Sequence, residues 1–271
     1  MSAQSIEPRS AADICAAAEV SASFILGSGL TRSWVRGAIL PCEMAFFLAA
    51  CDVRAVQAVV ECGRQDGYST EILGRWASSR GVEVISIDLE DEAVRAAQCR
   101  ARLRDLPLEL VKGDAFAEVG RVMGRLRGRR TAGLLDGPKG FPAISLMAAA
   151  LHDHVELLAL HNLVDWKPER KWFVARGGCF YENIIGAGGP NWVELRRQES
   201  EFLSASSGRA QPDMSSLGIL MLGHGGRDEL RRSWSPVFGL HQPLLVFWFS
   251  RIFGHDLTPK LYTLSRRLLG R

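Results

Sequence analysis

The chain has 271 residues, 47% of them hydrophobic and 23% charged, a balance that fits a globular protein and excludes a disordered or fibrous one. Its formal net charge of +3, from 33 Lys and Arg against 30 Asp and Glu, is too small to mark a nucleic-acid binder. The longest apolar run near the end, Pro243 to Phe249, is far short of the roughly 20 residues that a membrane-spanning helix needs.

The positive balance is gathered in two stretches: residues 95–130 carry ten basic and four acidic side chains, and residues 226–271 carry eight and three. Such runs are ordinarily solvated faces. No two of the six cysteines are spaced as C-x-x-C, which argues for reduced, buried thiols and no zinc or redox motif. Met1 to Ser10 has no apolar core, so a cytoplasmic protein without a signal peptide is expected.

In chain order, residues 11–26 and Pro41 to Cys51 read as helices. The pattern then alternates. Strands are expected at Ala55–Glu61, Val82–Asp88, Leu108–Val111, Thr131–Asp136 and Val155–Leu160. Between them lie helices at about 69–79, 90–103, 116–127 and 142–151. Residues 177–190 are Gly-rich and read as a loop, and Trp192–Arg196 and Leu217–Leu222 read as two closing strands. The expectation is an α/β fold: a doubly wound, mostly parallel, seven-stranded sheet with helices on both faces. Three units follow: an N-terminal helical cap over 1–52, the sheet domain over 53–222, and a C-terminal amphipathic, basic appendage over 223–271. Its aromatic and basic residues suit a lid, a dimer contact or a membrane surface.

Sheets of this kind bind ligands at the carboxyl ends of their strands. The first strand ends in Glu61-Cys62-Gly63-Arg64-Gln65-Asp66-Gly67-Tyr68-Ser69, where two glycines permit a tight turn and close approach to a ligand. It is neither G-x-G-x-x-G nor a P-loop, which disfavours a nicotinamide-dependent oxidoreductase. The second strand ends in Asp88, placed either to accept from a ribose diol or to cap the next helix. The third ends in Gly113-Asp114-Ala115-Phe116, where Asp114 could face a base edge. The fourth ends in Asp136-Gly137-Pro138-Lys139. Its carboxylate could hold a divalent cation, and its lysine could take a proton from a hydroxyl if its pKa were lowered. The fifth ends in His161-Asn162, both possible metal ligands and equally a satisfied strand end.

These strand ends together resemble the class I S-adenosylmethionine-dependent methyltransferases, over about residues 40–222. Within them the chain is most similar to the catechol-type small-molecule O-methyltransferases, with their E-x-G-x-x-x-G-x-S loop and Asp-x-x-Lys turn. The resemblance implies that the loop carrying Glu61, Gly63, Gly67, Tyr68 and Ser69 wraps the methionine part of S-adenosylmethionine. It implies that Asp88 holds the ribose and that Asp114 and Ala115 meet the adenine. Asp136 and Lys139 become the catalytic pair, and Asp136, His161 and Asn162 the metal positions. The family has Asp-Asn where this chain has His161-Asn162, so one carboxylate of the metal site is replaced. Sugar O-methyltransferases share the Asp-Gly pair seen at Asp136-Gly137. The expected function is methyl transfer to a hydroxyl of a small phenolic, natural-product or sugar acceptor. The alternative is an inactive module that keeps the fold.

Overall fold

Each short apolar run becomes a strand of one sheet in the computed structural model, which describes residues 8–164, 168–186, 188–207, 215–223, 227–228 and 230. Strands β1 (Ala58–Cys62), β2 (Glu83–Asp88), β3 (Leu108–Lys112), β4 (Thr131–Leu135) and β5 (Val155–Leu160) run parallel. Strand β6 (Gly218–Met221) pairs antiparallel with β5. The order is β3-β2-β1-β4-β5-β6. The chain therefore steps outward from β1 to β3 and returns on the other side of β1 with β4. The carboxyl ends of β1 and β4 flank the point where strand order reverses, and that is where such sheets leave a crevice.

The helices are α1 (Pro8–Gly27), α2 (Pro41–Val53), α3 (Tyr68–Ser78), α4 (Ala93–Leu103), α5 (Ala115–Arg125), α6 (Phe141–Ala150), α7 (Pro168–Val174), α8 (Tyr181–Ile184) and α9 (Pro190–Ser207). Alternate strand residues point to opposite faces. Val59, Leu134 and Leu157 join a core with α1, α2, α3 and α9. Val60, Leu135 and Leu158 join a second core with α5 and α6. Strands β1 and β4 are buried at every position, as central parallel strands covered on both faces must be. Edge strand β3 exposes Glu109 and Lys112, charges that discourage pairing with another chain. Helix α2 is buried from Pro41 through Cys51, consistent with a helix that is apolar nearly all round. Glu43 is the one acid in that run.

Two expectations are corrected. Trp192–Arg196 is not a strand but lies within α9. Trp192, Leu195 and Glu199 are buried while Val193 is exposed, a helical spacing. The helix is started by Pro190 and by Glu19 of α1, which accepts from the backbone N–H groups of Asn191 (2.7 Å) and Trp192 (3.0 Å). The sheet accordingly has six strands among the described residues, not seven. The Gly-rich segment 177–190 is also not all loop, since it holds α8 and an antiparallel bridge from Cys179 to Ile219. The appendage from residue 223 onward lies almost wholly outside the described residues, and with it the dimer contact and membrane surface read from its sequence. No described helix is long and apolar enough to cross a membrane.

Candidate active site

At the switch point lies a cavity of about 550 Å³, lined by the loops that follow β1, β2, β3 and β4, within the size range of small-ligand sites. Gly63 turns the first loop with φ 94°, and a Cβ there would lie 2.8 Å from the backbone N of Gly137. The loops after β1 and β4 thus cross in backbone contact, and only glycine fits. Gly67, at φ 79°, precedes α3, and a Cβ there would meet Cys99 Sγ at 2.8 Å.

Asp88 organises the first loop from the end of β2. Its Oδ2 accepts from the backbone N–H groups of Arg64 (2.8 Å) and Gln65 (3.1 Å), and its Oδ1 from that of Glu90 (2.8 Å). A carboxylate has about four lone-pair sites, so three bonds leave capacity for a ligand hydroxyl. The buried Arg64 guanidinium donates to Ser86 O (2.7 Å) and pairs with Glu90, which Arg100 also reaches (2.9 Å). Asp114 caps α5 by accepting from Phe116 N (2.8 Å), and Asp114, Ala115 and Phe116 line the cavity wall.

Glu61, Tyr68 and Ser69 are buried behind this loop and do not line the cavity. Glu61 is fully buried and accepts from Ser69 Oγ (2.5 Å), Thr70 Oγ1 (2.5 Å) and Ser86 Oγ (2.6 Å). Burial pushes its carboxyl up, against the pull of those three hydroxyls and of Arg64. Its place is that of a brace between β1, β2 and the start of α3. Tyr68 packs against Arg102, whose guanidinium lies 5.9 Å from the ring centre.

On the β4 side, Asp136, Gly137 and Lys139 line the cavity, with Lys139 exposed at its rim. Asp136 Oδ1 accepts from Asn162 Nδ2 (2.8 Å) and lies 2.7 Å from His161 Nδ1. Asn162 adopts φ 65°, a left-handed conformation that Asn tolerates, and this turns its amide toward Asp136. The structure thus brings together Asp136, His161 and Asn162. It also adds a residue with no motif in the sequence. Glu43 of α2, fully buried, places Oε2 3.5 Å from His161 Nε2. Glu43 further accepts from the backbone N–H groups of Leu40 (3.0 Å), Ser216 (2.6 Å) and Leu217 (3.0 Å). Burial pushes the His161 imidazole down, but Asp136 and Glu43 outweigh it and hold it at about 10. Glu43 is held below its usual range despite its own burial. A lone acid inside an apolar helix was the sequence signal that could have found it.

The cavity lining carries Asp88, Glu90, Asp91, Glu92, Asp114 and Asp136 against Arg64, Arg95 and Lys139. With Arg64 already paired to Glu90, the site favours a ligand of neutral or positive charge over a polyphosphate. Among the described residues no group of three His, Cys, Asp or Glu side chains is placed to hold a metal ion.

No protein-family model matches the chain, and no curated protein matches it significantly. Its structure is similar to that of an O-methyltransferase from Bacillus cereus in complex with S-adenosylhomocysteine, with 15% identity, a TM-score of 0.41 and coverage of 75% of this chain and 91% of that one. It is similar to the O-methyltransferase TomG from Streptomyces achromogenes in complex with S-adenosylmethionine, with 16% identity, a TM-score of 0.40 and coverage of 76% and 90%. It is also similar to a methyltransferase from Podospora anserina bound to S-adenosylhomocysteine, with 12% identity, a TM-score of 0.42 and coverage of 82% and 99%. Each is a likeness in the course of the backbone.

Proposed function

We propose that this chain is an S-adenosylmethionine-dependent O-methyltransferase that acts on a small hydroxylated acceptor. The observation that carries the reading is the cavity at the switch point, where glycine backbone, the Asp88 carboxylate and an acidic wall meet. The residues fit this cofactor. Gly63, packed against the Gly137 backbone, brings the first loop to the cavity wall, Asp88 has a free acceptor site for a ribose hydroxyl, and the acidic lining suits a sulfonium. Asp114, Ala115 and Phe116 would flank the adenine.

When bound, the cofactor supplies an electrophilic methyl group. The chain's own part is to place the acceptor oxygen in line and to take its proton. Asp136 lines the cavity with Oδ1 filled, so Oδ2 is the oxygen left to orient an acceptor hydroxyl. Lys139, three residues on at the rim, is the group placed to receive the proton, a role that requires its amine to be in the neutral form. Asp136→Ala and Lys139→Ala should each lower turnover about 10²-fold while calorimetric titration with S-adenosylhomocysteine gives nearly unchanged affinity. Failure of the natural chain to bind S-adenosylhomocysteine would sink the reading.

A second reading, a module that binds the cofactor without transfer, is favoured by the pairing of Asp136 with His161. Binding without turnover on a panel of phenols and sugars would select it. The six free cysteines support a reducing compartment such as the cytoplasm. For the tail, which lies outside the described residues, aromatic and basic composition supports a dimer contact or a membrane-surface role. Gel filtration and retention on anionic vesicles at low salt would distinguish the two.

A further inference from the structure

We propose that helix α4 is a latch for the cofactor loop, with Arg102 as a positioning residue that sets cofactor affinity from outside the cavity. What the latch serves rests on the O-methyltransferase reading; its contacts do not.

The basic run that starts at residue 95 reads as a solvated face in the sequence, yet its first part is turned onto residues 63–71. Arg95, Cys99, Arg102 and Leu103 are spaced i, i+4, i+7 and i+8, which is one stripe of a helix. Cys99 Sγ and Leu103 Cδ1 fill the space that a Cβ on Gly67 would need, at 2.8 and 3.2 Å. Arg95 Nε stands 3.3 Å from Asp66 Oδ1. Arg102 holds the outer end of the loop. Its Nε donates to Glu71 Oε2 (2.5 Å), its Nη2 donates to Ser33 Oγ (3.1 Å), and its Nη1 reaches Asp66 O (3.5 Å). Its guanidinium also stands over the Tyr68 ring. Arg100 acts one step removed, through Glu90, which it shares with Arg64 of the loop.

The loop needs such a hold. It has glycines at 63 and 67, and Gln65 adopts φ 45°, a conformation that other residues seldom take up. Asp88 fixes its inner side through the N–H groups of Arg64 and Gln65. The outer side is fixed by α4. The Arg102 and Glu71 side chains are 22% and 9% exposed, whereas those of the Arg125–Glu109 pair are 43% and 42% exposed. The first pair is the better shielded from water, and a freely solvated pair contributes little. Arg102 does not line the cavity, so its effect on the cofactor passes through the loop. With the latch open, binding has to order residues that the natural chain already holds in place, and affinity falls by that cost.

The test uses the full chain and S-adenosylhomocysteine. In calorimetric titration Arg102→Gln should bind it ~10-fold more weakly. Arg102→Lys keeps a charge for Glu71 but loses the fork, and should recover part of the loss. Glu71→Gln should show a similar loss, and the double variant of Arg102→Gln with Glu71→Gln no more than the larger single loss, because the two act as one unit. Arg125→Gln is the control and should leave affinity unchanged. In the ligand-free chain, Arg102→Gln should speed hydrogen exchange at amides 64–68 and leave α5 and β4 as they are, whereas a general loss of stability would speed all of them. Unchanged affinity in Arg102→Gln, additive losses in the double variant, or unchanged exchange at 64–68 overturns the proposal. If Arg102→Gln does not fold, Arg102→Lys takes its place, with a ~3-fold loss of affinity expected and no loss overturning the latch. Exchange needs no ligand, so failure of the natural chain to bind S-adenosylhomocysteine would sink the O-methyltransferase reading alone, and exchange would still decide the latch.

Discussion

Gly63 is constrained twice, by its φ of 94° and by the Gly137 backbone 2.8 Å from where a Cβ would stand. Neither neighbour is the end of a flexible side chain, so nothing can give cheaply. Gly63→Ala should cost about 2 kcal/mol of stability and weaken S-adenosylhomocysteine binding at least ~10-fold, read by urea denaturation and calorimetry. Gly128, at φ 83° with open space around it, is the control: its Ala variant bears strain alone, about 1 kcal/mol, and leaves cofactor affinity untouched. His161 poses the opposite case, an interaction lost rather than a clash gained. His161→Ala leaves the buried Glu43 and the nearly buried Asp136 without their shared cation, a loss of about 3–5 kcal/mol for a broken buried pair, measured by urea denaturation at neutral pH. Gly63, Asp88 and Asp136 were legible in the sequence because each ends a strand, and strand-to-turn chemistry is local. Glu43 showed only as a lone acid in an apolar helix, because the partners that give it a role stand at 161, 216 and 217, far from it in the chain.

At the scale of elements, local signals fixed most of the fold. Strands β1 to β5 alternate with α3 to α6 within three residues of their expected bounds, since each is specified by its own apolar run. The start of α3 is instead a tertiary construction: Glu61 from β1 is held by hydroxyls of α3 and β2. The sequence offers the acid as a cofactor ligand as readily as a brace. Helix α9 shows the same limit more sharply. Its first turn takes its cap from Glu19 of α1, 172 residues before Asn191 in the chain, and the five-residue window 192–196 contains too little of the helical period to reveal it. Glu19→Ala should therefore cost about 1–2 kcal/mol, as loss of a capping carboxylate does. Circular dichroism through urea unfolding would detect it, and an unchanged midpoint would show that α9 is held by packing alone.

In the whole molecule, α1, α2 and α9 close over one face of the sheet and trap ionisable groups with pH windows of different sign. Glu199 of α9 accepts from Cys42 N (2.9 Å) with Arg196 3.6 Å away. Burial pushes its carboxyl up to about 7, against the Cys42 N–H and with help from neighbouring Glu43. A folded pKa above the ordinary 4.5 means the folded chain binds this proton more tightly than the unfolded chain. The resulting stabilisation is complete below about 4.5 and is lost as pH rises to about 7. His161, held at about 10 against an ordinary 6.5, adds stability that is full below about 6.5 and is lost as pH rises to about 10. Glu43, held low, acts in the opposite direction, losing stability only as pH falls below its ordinary 4.5. Among these three, the interval between about 4.5 and 6.5 isolates Glu199; Glu61, also pushed up by burial, adds a contribution of the same sign that a Glu199 variant leaves in place. The melting temperature of the natural chain should fall across that interval, and Glu199→Gln, which keeps the shape and removes the proton, should flatten the fall while leaving the decline above pH 7 in place. An identical slope in the variant would assign the proton to another group of the same layer.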